Sequence, residues 1–86
     1  MEKTIFLVES SADNKDYAFD NIFNNKQEAI KYAKSHTAPF VVVYKVKKSE
    51  DWYNQQFNNV NGCVDVEFSN TDKFVEIYRK VVNNND

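Results

Sequence analysis

The chain has 86 residues, 42% hydrophobic and 15% aromatic, with a formal net charge of −2. A chain this long makes one domain that buries roughly 60–65% of its unfolded surface, so it has a real core with a thin margin. This balance excludes a wholly disordered chain, and the single cysteine, Cys63, excludes an intramolecular disulfide.

The N-terminus carries Lys3 and then the short apolar run Ile5-Phe6-Leu7-Val8, which Glu9 interrupts. The run is too short for a signal peptide or a membrane span. The expectation is a cytoplasmic protein with no membrane association. Thr4 to Glu9 reads as a first strand, apolar on both faces as a central strand should be. Ser10 to Asp16 is polar and turn-forming. Tyr17 to Phe23 reads as a second strand, closing a hairpin.

An amphipathic helix comes next. Asn25 suits the N-cap, because its side-chain oxygen can accept from an unsatisfied N–H of the first turn, and Glu28 stands where a capping box needs an acid. Ala29, Ile30 and Ala33 form the buried stripe, with Tyr32 at its edge. The helix should stop near Ser35, since Pro39 disfavours helix in the residue before it.

Phe40 to Lys47 is the strongest strand signal. Phe40, Val42, Tyr44 and Val46 share one face, and Val41, Val43, Lys45 and Lys47 the other. Residues 48–61 are irregular: either a short helix starts at Ser49, or an excursion runs to the Asn61-Gly62 turn. Cys63 to Phe68 alternates as a strand, with Val64, Val66 and Phe68 inward and Asp65 and Glu67 outward. Ser69 to Val82 reads as a second helix, with Ser69 and Asp72 as its capping box and Phe74, Ile77, Tyr78 and Val81 as its apolar face. Residues 83–86 form a frayed polar tail.

The predicted fold is a single α+β domain over residues 1–86. Its sheet is four-stranded and mostly antiparallel, in the order β-β-α-β-β-α, with two helices packed on one face. If the helices cover Phe40, Val42, Tyr44 and Val46, the face with Val41, Val43, Lys45 and Lys47 stays open. An open, partly apolar face is a candidate interface, including one for a homodimer.

Charge is uneven along the chain. Residues 26–48 hold six lysines against Glu28, and residues 49–76 hold six acids against Lys73. The simpler reading is a solvated surface whose opposite charges meet on folding. The functional reading is an acidic or basic patch for a charged partner.

The pattern gives no catalytic residue, cofactor or metal site. His36 follows a helix end, where it tends to engage free carbonyls. Cys63 has no base beside it in sequence, and one histidine with one cysteine cannot supply about four zinc ligands. Asp13, Asp16 and Asp20 lack the glycine and terminal glutamate of a calcium loop.

Trp52, Tyr53 and Phe57 are aromatics in a polar segment. Such residues serve either as binding anchors or as a cover for a small core. With the acidic strand residues Asp65 and Glu67, they are the expected contacts for a protein partner. The alternative is RNA or single-stranded DNA bound at Lys45, Lys47 and Lys48. A sequence pI near 5.3 and a single arginine, Arg79, speak against it.

Twelve asparagines with many lysines give the composition of an AT-rich genome. The run Thr4-Ile5-Phe6-Leu7-Val8, then Asn21-Ile22-Phe23-Asn24-Asn25-Lys26-Gln27-Glu28-Ala29-Ile30-Lys31-Tyr32-Ala33, then Val41-Val42-Val43-Tyr44-Lys45-Val46, resembles a layout of small accessory proteins of tailed bacteriophages. In those a strand pair leads into a helix opening Phe-x-x-Lys-x-x-Ala, and a strand comes after it. The resemblance covers the first half of the chain and transfers no site residue. It implies a phage-type protein that binds and inhibits or modulates a host protein.

Overall fold

The computed structural model describes residues 1–57 and 68–81. Four strands form one sheet: β1 (Glu2–Ser11), β2 (Ala18–Phe23), β3 (Phe40–Ser49) and β4 (Val75–Val81). Their order is β2-β1-β3-β4, with every neighbouring pair antiparallel. Two short helices complete the α+β domain, α1 (Lys26–Ser35) and α2 (Glu50–Trp52), and one turn of π-helix (Tyr53–Phe57) continues α2.

β1 and β3 are the interior strands. Their ladder runs unbroken from Glu2 opposite Ser49 to Ser11 opposite Phe40. Both bury consecutive residues, Ile5 to Val8 on one and Val41 to Val43 on the other, because both faces of the sheet are covered.

α1 begins where Asn25 predicts. The Asn25 side chain accepts the Glu28 N–H at 3.0 Å. Ala29 and Ala33, one turn apart, lie fully buried against Phe6, Val8, Val41 and Val43. Their small side chains let the helix approach the sheet closely. The covered face is therefore the one with Val41 and Val43, the reverse of the face the sequence suggested. Phe40, Val42, Tyr44 and Val46 make the more apolar side and so drew the expectation, but α1 reaches only Val41 and Val43 on the other side, and Lys45 and Lys47 beyond them stay exposed. The opposite face is not open either. Ile5, Val42 and Val46 are buried there, and Phe68 and Phe74 lie beside Leu7 and Tyr44.

The second predicted helix is a strand. Residues 75–81 pair with β3 as β4. The spacing of Phe74, Ile77, Tyr78 and Val81 imitates a helix because the β3–β4 register shifts between Val43 and Tyr44. That bulge leaves Ile77 and Tyr78, adjacent in sequence, both packed toward α1. The Ser69–Asp72 signal is real but closes a turn. Asp72 Oδ2 accepts the Ser69 N–H at 2.8 Å, and the Asp72 N–H reaches the Ser69 carbonyl at 3.0 Å. β-branched Val75, Ile77 and Val81 then favour extended chain.

The second helix that does form starts at Ser49, whose hydroxyl accepts the Trp52 N–H at 3.1 Å. It sits at the end of β3 and does not lie on the sheet beside α1. Of the predicted strand Cys63 to Phe68, residues 63–67 fall outside the described residues, as does the tail at 83–86.

Candidate functional site

Two polar assemblies flank the core, one on the α1 side and one at the far end of β3. On the α1 side, the β1–β2 register shifts between Val8 and Glu9, and Asp20 is the extra residue. The bulge turns Asp20 toward α1 beside its neighbour Asn21. There the Asp20 carboxylate accepts three hydrogen bonds: from Ser10 Oγ at 2.7 Å, Tyr32 Oη at 2.5 Å and His36 Nε2 at 2.5 Å.

His36 is the C-cap of α1. Its other ring nitrogen, Nδ1, accepts the Ala38 N–H at 2.9 Å. That bond puts the imidazole proton on Nε2 and leaves the ring no spare lone pair for a base's work. Lys80 Nζ donates to the His36 carbonyl.

Burial opposes ionisation of Asp20, but the bonds from Tyr32, Ser10 and His36 outweigh it and hold the carboxyl below its usual range. Burial, reinforced by Asp20, pushes the Tyr32 hydroxyl up to about 12. The cluster acts as a clamp that ties β1, β2 and α1 to the turn entering β3.

At the far end, Lys48 pairs with Asp72 at 2.7 Å, with side chains only 10% and 13% exposed. The Lys48 ammonium also lies 5.1 Å from the Trp52 ring and 5.6 Å from the Phe68 ring. Phe68 in turn packs on Phe74 at 5.3 Å, and Phe74 on Tyr44 at 5.9 Å. This aromatic strap borders a cleft of about 330 Å³ lined by Leu7, Glu9, Tyr44, Phe68 and Phe74. Burial raises the carboxyl of Glu9 at its edge.

Round the sheet edge lies a second cleft, of about 490 Å³, whose walls include Lys45, Lys47, Thr71, Asp72 and Lys73.

The expected partner contacts divide. Trp52 and Tyr53 are half-buried and serve the body of the domain. Trp52 stacks on Phe68 at 5.5 Å, and the Tyr53 hydroxyl accepts from Asn24 Nδ2 at 2.9 Å while Lys3 lies over its ring. Phe57 ends the π-helical turn, and its side chain lies outside the described set, as do Asp65 and Glu67.

The expected basic trio also divides. Lys45 and Lys47 line the larger cleft, whereas Lys48 points to the opposite face and is spent on Asp72. Alternation along a strand requires this separation. Lys73 and Thr71 join the cleft only through the turn that replaced the predicted helix. No sequence motif announced the Asp20 clamp. Its one visible signal was an acid inside an otherwise strand-forming run.

Among the described residues, no group of three His, Cys, Asp or Glu side chains stands ready for a metal, and no helix is long and apolar enough to cross a membrane. No family model, curated protein or solved structure matches the chain.

Proposed function

We propose that this protein is a non-enzymatic module that binds another protein and acts by occluding it. The phage resemblance makes a host protein in the bacterial cytoplasm the natural kind of target. The observation that carries this reading is the uneven end of the sheet. β3 runs on through Val46–Ser49 after its pairing with β4 stops at Lys45 opposite Val75. A cleft opens there, and Val75 on its wall is 51% exposed. Unfinished sheet edges bordered by exposed apolar groups are places where proteins join. The Asp20 cluster, by contrast, satisfies itself and favours a scaffold role over catalysis.

A homodimer through the face of Val41 and Val43 loses its premise, because α1 occupies that face. Lys45, Lys47 and Lys73 around one cleft favour a second reading, in which single-stranded nucleic acid is the ligand.

The test is affinity capture from a bacterial lysate with tagged wild type and Val75→Asp, with and without nuclease. A stoichiometric protein that survives nuclease and is lost with Val75→Asp supports the binding module. Co-purifying nucleic acid, with protein partners lost on nuclease treatment, would replace it with the second reading.

A further inference from the structure

We propose that the edge of β3 beyond β4, unpaired among the described residues, receives an acidic, extended segment of the partner protein as a short added strand; this deepens, and rests on, the protein-binding reading. The phase of the ladder shows which backbone groups are on offer. The Glu50 N–H donates to the Met1 carbonyl at 3.1 Å, immediately beyond the unbroken β1–β3 register. Antiparallel pairs alternate between hydrogen-bonded and non-hydrogen-bonded. Val46 and Lys48 therefore turn their backbone groups toward β1, and Lys47 and Ser49 turn theirs to the outer edge. Among the described residues Lys47 has no backbone partner on that side, while Ser49, the N-cap of α2, gives its carbonyl to the helix and keeps its N–H for the edge.

Four residues of strand span about 13 Å. The edge thus offers room, both backbone groups of Lys47 and the N–H of Ser49 to a peptide of three or four residues, the arrangement that strand addition uses.

Charge selects the guest. Asp72 is occupied by Lys48, while Lys45, Lys47 and Lys73 hold no salt bridge among the described residues. Glu2 also lines the cleft, so its wall sets these three lysines against one further carboxylate and is basic on balance, on a chain of net charge −2. Lys45 and Lys47 stand two apart on one face, the spacing of alternate carboxylates on an extended peptide. Among the described residues no aromatic side chain lines this cleft. A single strand of nucleic acid would thus find charge there but no stacking surface.

The probe is a capped hexapeptide alternating valine and glutamate, labelled for fluorescence anisotropy against the full chain. Controls are the same peptide with lysine for glutamate, the acidic peptide N-methylated at alternate amides, and a ten-nucleotide oligodeoxythymidine. Saturable binding of the acidic peptide is expected, weakened at least about tenfold by Lys45→Glu with Lys47→Glu and abolished by N-methylation. Amide chemical-shift changes should centre on Val46–Ser49.

No saturation by 1 mM peptide, equal binding of the lysine peptide, indifference to N-methylation, shifts centred elsewhere, or tighter binding of the oligonucleotide would each overturn the proposal. Survival of the captured lysate protein on the Lys45→Glu, Lys47→Glu variant would overturn this site and leave the protein-binding reading standing.

Discussion

Replacing Asp20 with alanine removes one carboxylate from three donors, Ser10, Tyr32 and His36. A hydrogen bond to a charged group contributes about 1.5–3 kcal/mol when shielded from water. Here the Asp20 and His36 side chains are 17% and 20% exposed, so water can re-engage the stranded donors in part. About 1 kcal/mol per bond, roughly 3 kcal/mol in all, is the reasoned cost. A domain of 86 residues has on the order of 4–13 kcal/mol of stability. The melting temperature should therefore fall by roughly 12–24 °C.

Asparagine at the same position keeps one carbonyl for the His36 N–H. It offers its amide to the Ser10 and Tyr32 hydroxyls, which can accept as well as donate. Asp20→Asn should therefore cost only about 1 kcal/mol. Urea titrations followed by circular dichroism, with m unchanged, measure both values. A cost below about 1 kcal/mol for Asp20→Ala, or equal costs for the two variants, would refute the clamp.

Other expectations concern the core, the strap and pH. Val43→Ala, fully buried against α1, should cost roughly 2–3 kcal/mol in the same titration. Val81→Ala, 57% exposed, should stay within about 0.5 kcal/mol. Lys48→Ala removes the cation over the Trp52 ring, so emission from this sole tryptophan should shift to the red and quench more readily with acrylamide; an unchanged spectrum would count against the strap. The carboxyl of Asp20 is depressed in the fold, so its contribution is present above the unfolded value of about 3.9 and lost as pH falls through the folded one. Tyr32 is raised to about 12, so its contribution is full below about 10 and lost as pH climbs from there toward 12. Asp20→Asn should flatten the acid limb of the stability curve and Tyr32→Phe the alkaline limb.

Local signals were legible where they were also sufficient. Asn25 began α1, and the runs at Ile5–Val8 and Val41–Val46 became the interior strands; at Ser49 the sequence left a short helix and an irregular excursion open, and the helix formed. The Ser69–Asp72 pair was equally visible but underdetermined. The same side-chain-to-backbone bond that opens a helix can close a turn, and the residues after Asp72 decide between them. The helical spacing of Phe74, Ile77, Tyr78 and Val81 misled because a bulge puts neighbours on one face, an exception to period-2 alternation that no local pattern announces.

Composition and alternation were enough to determine a small α+β domain and three strands of its antiparallel sheet, since burial of β-branched runs and capping of helices are local choices; the fourth strand, β4, had the pattern of a helix. Tertiary structure alone decided which side of β3 receives α1, because the helix covers only Val41 and Val43 and leaves Lys45 and Lys47 outside the contact, so the more apolar alternation did not settle the choice. It also decided that Lys48 leaves Lys45 and Lys47 to pair with Asp72, that Asp20 gathers three donors from distant positions, and that β4 stops short of the end of β3. Each of these depends on register and on contacts between residues far apart in the chain, and such contacts exist only once the strands have paired.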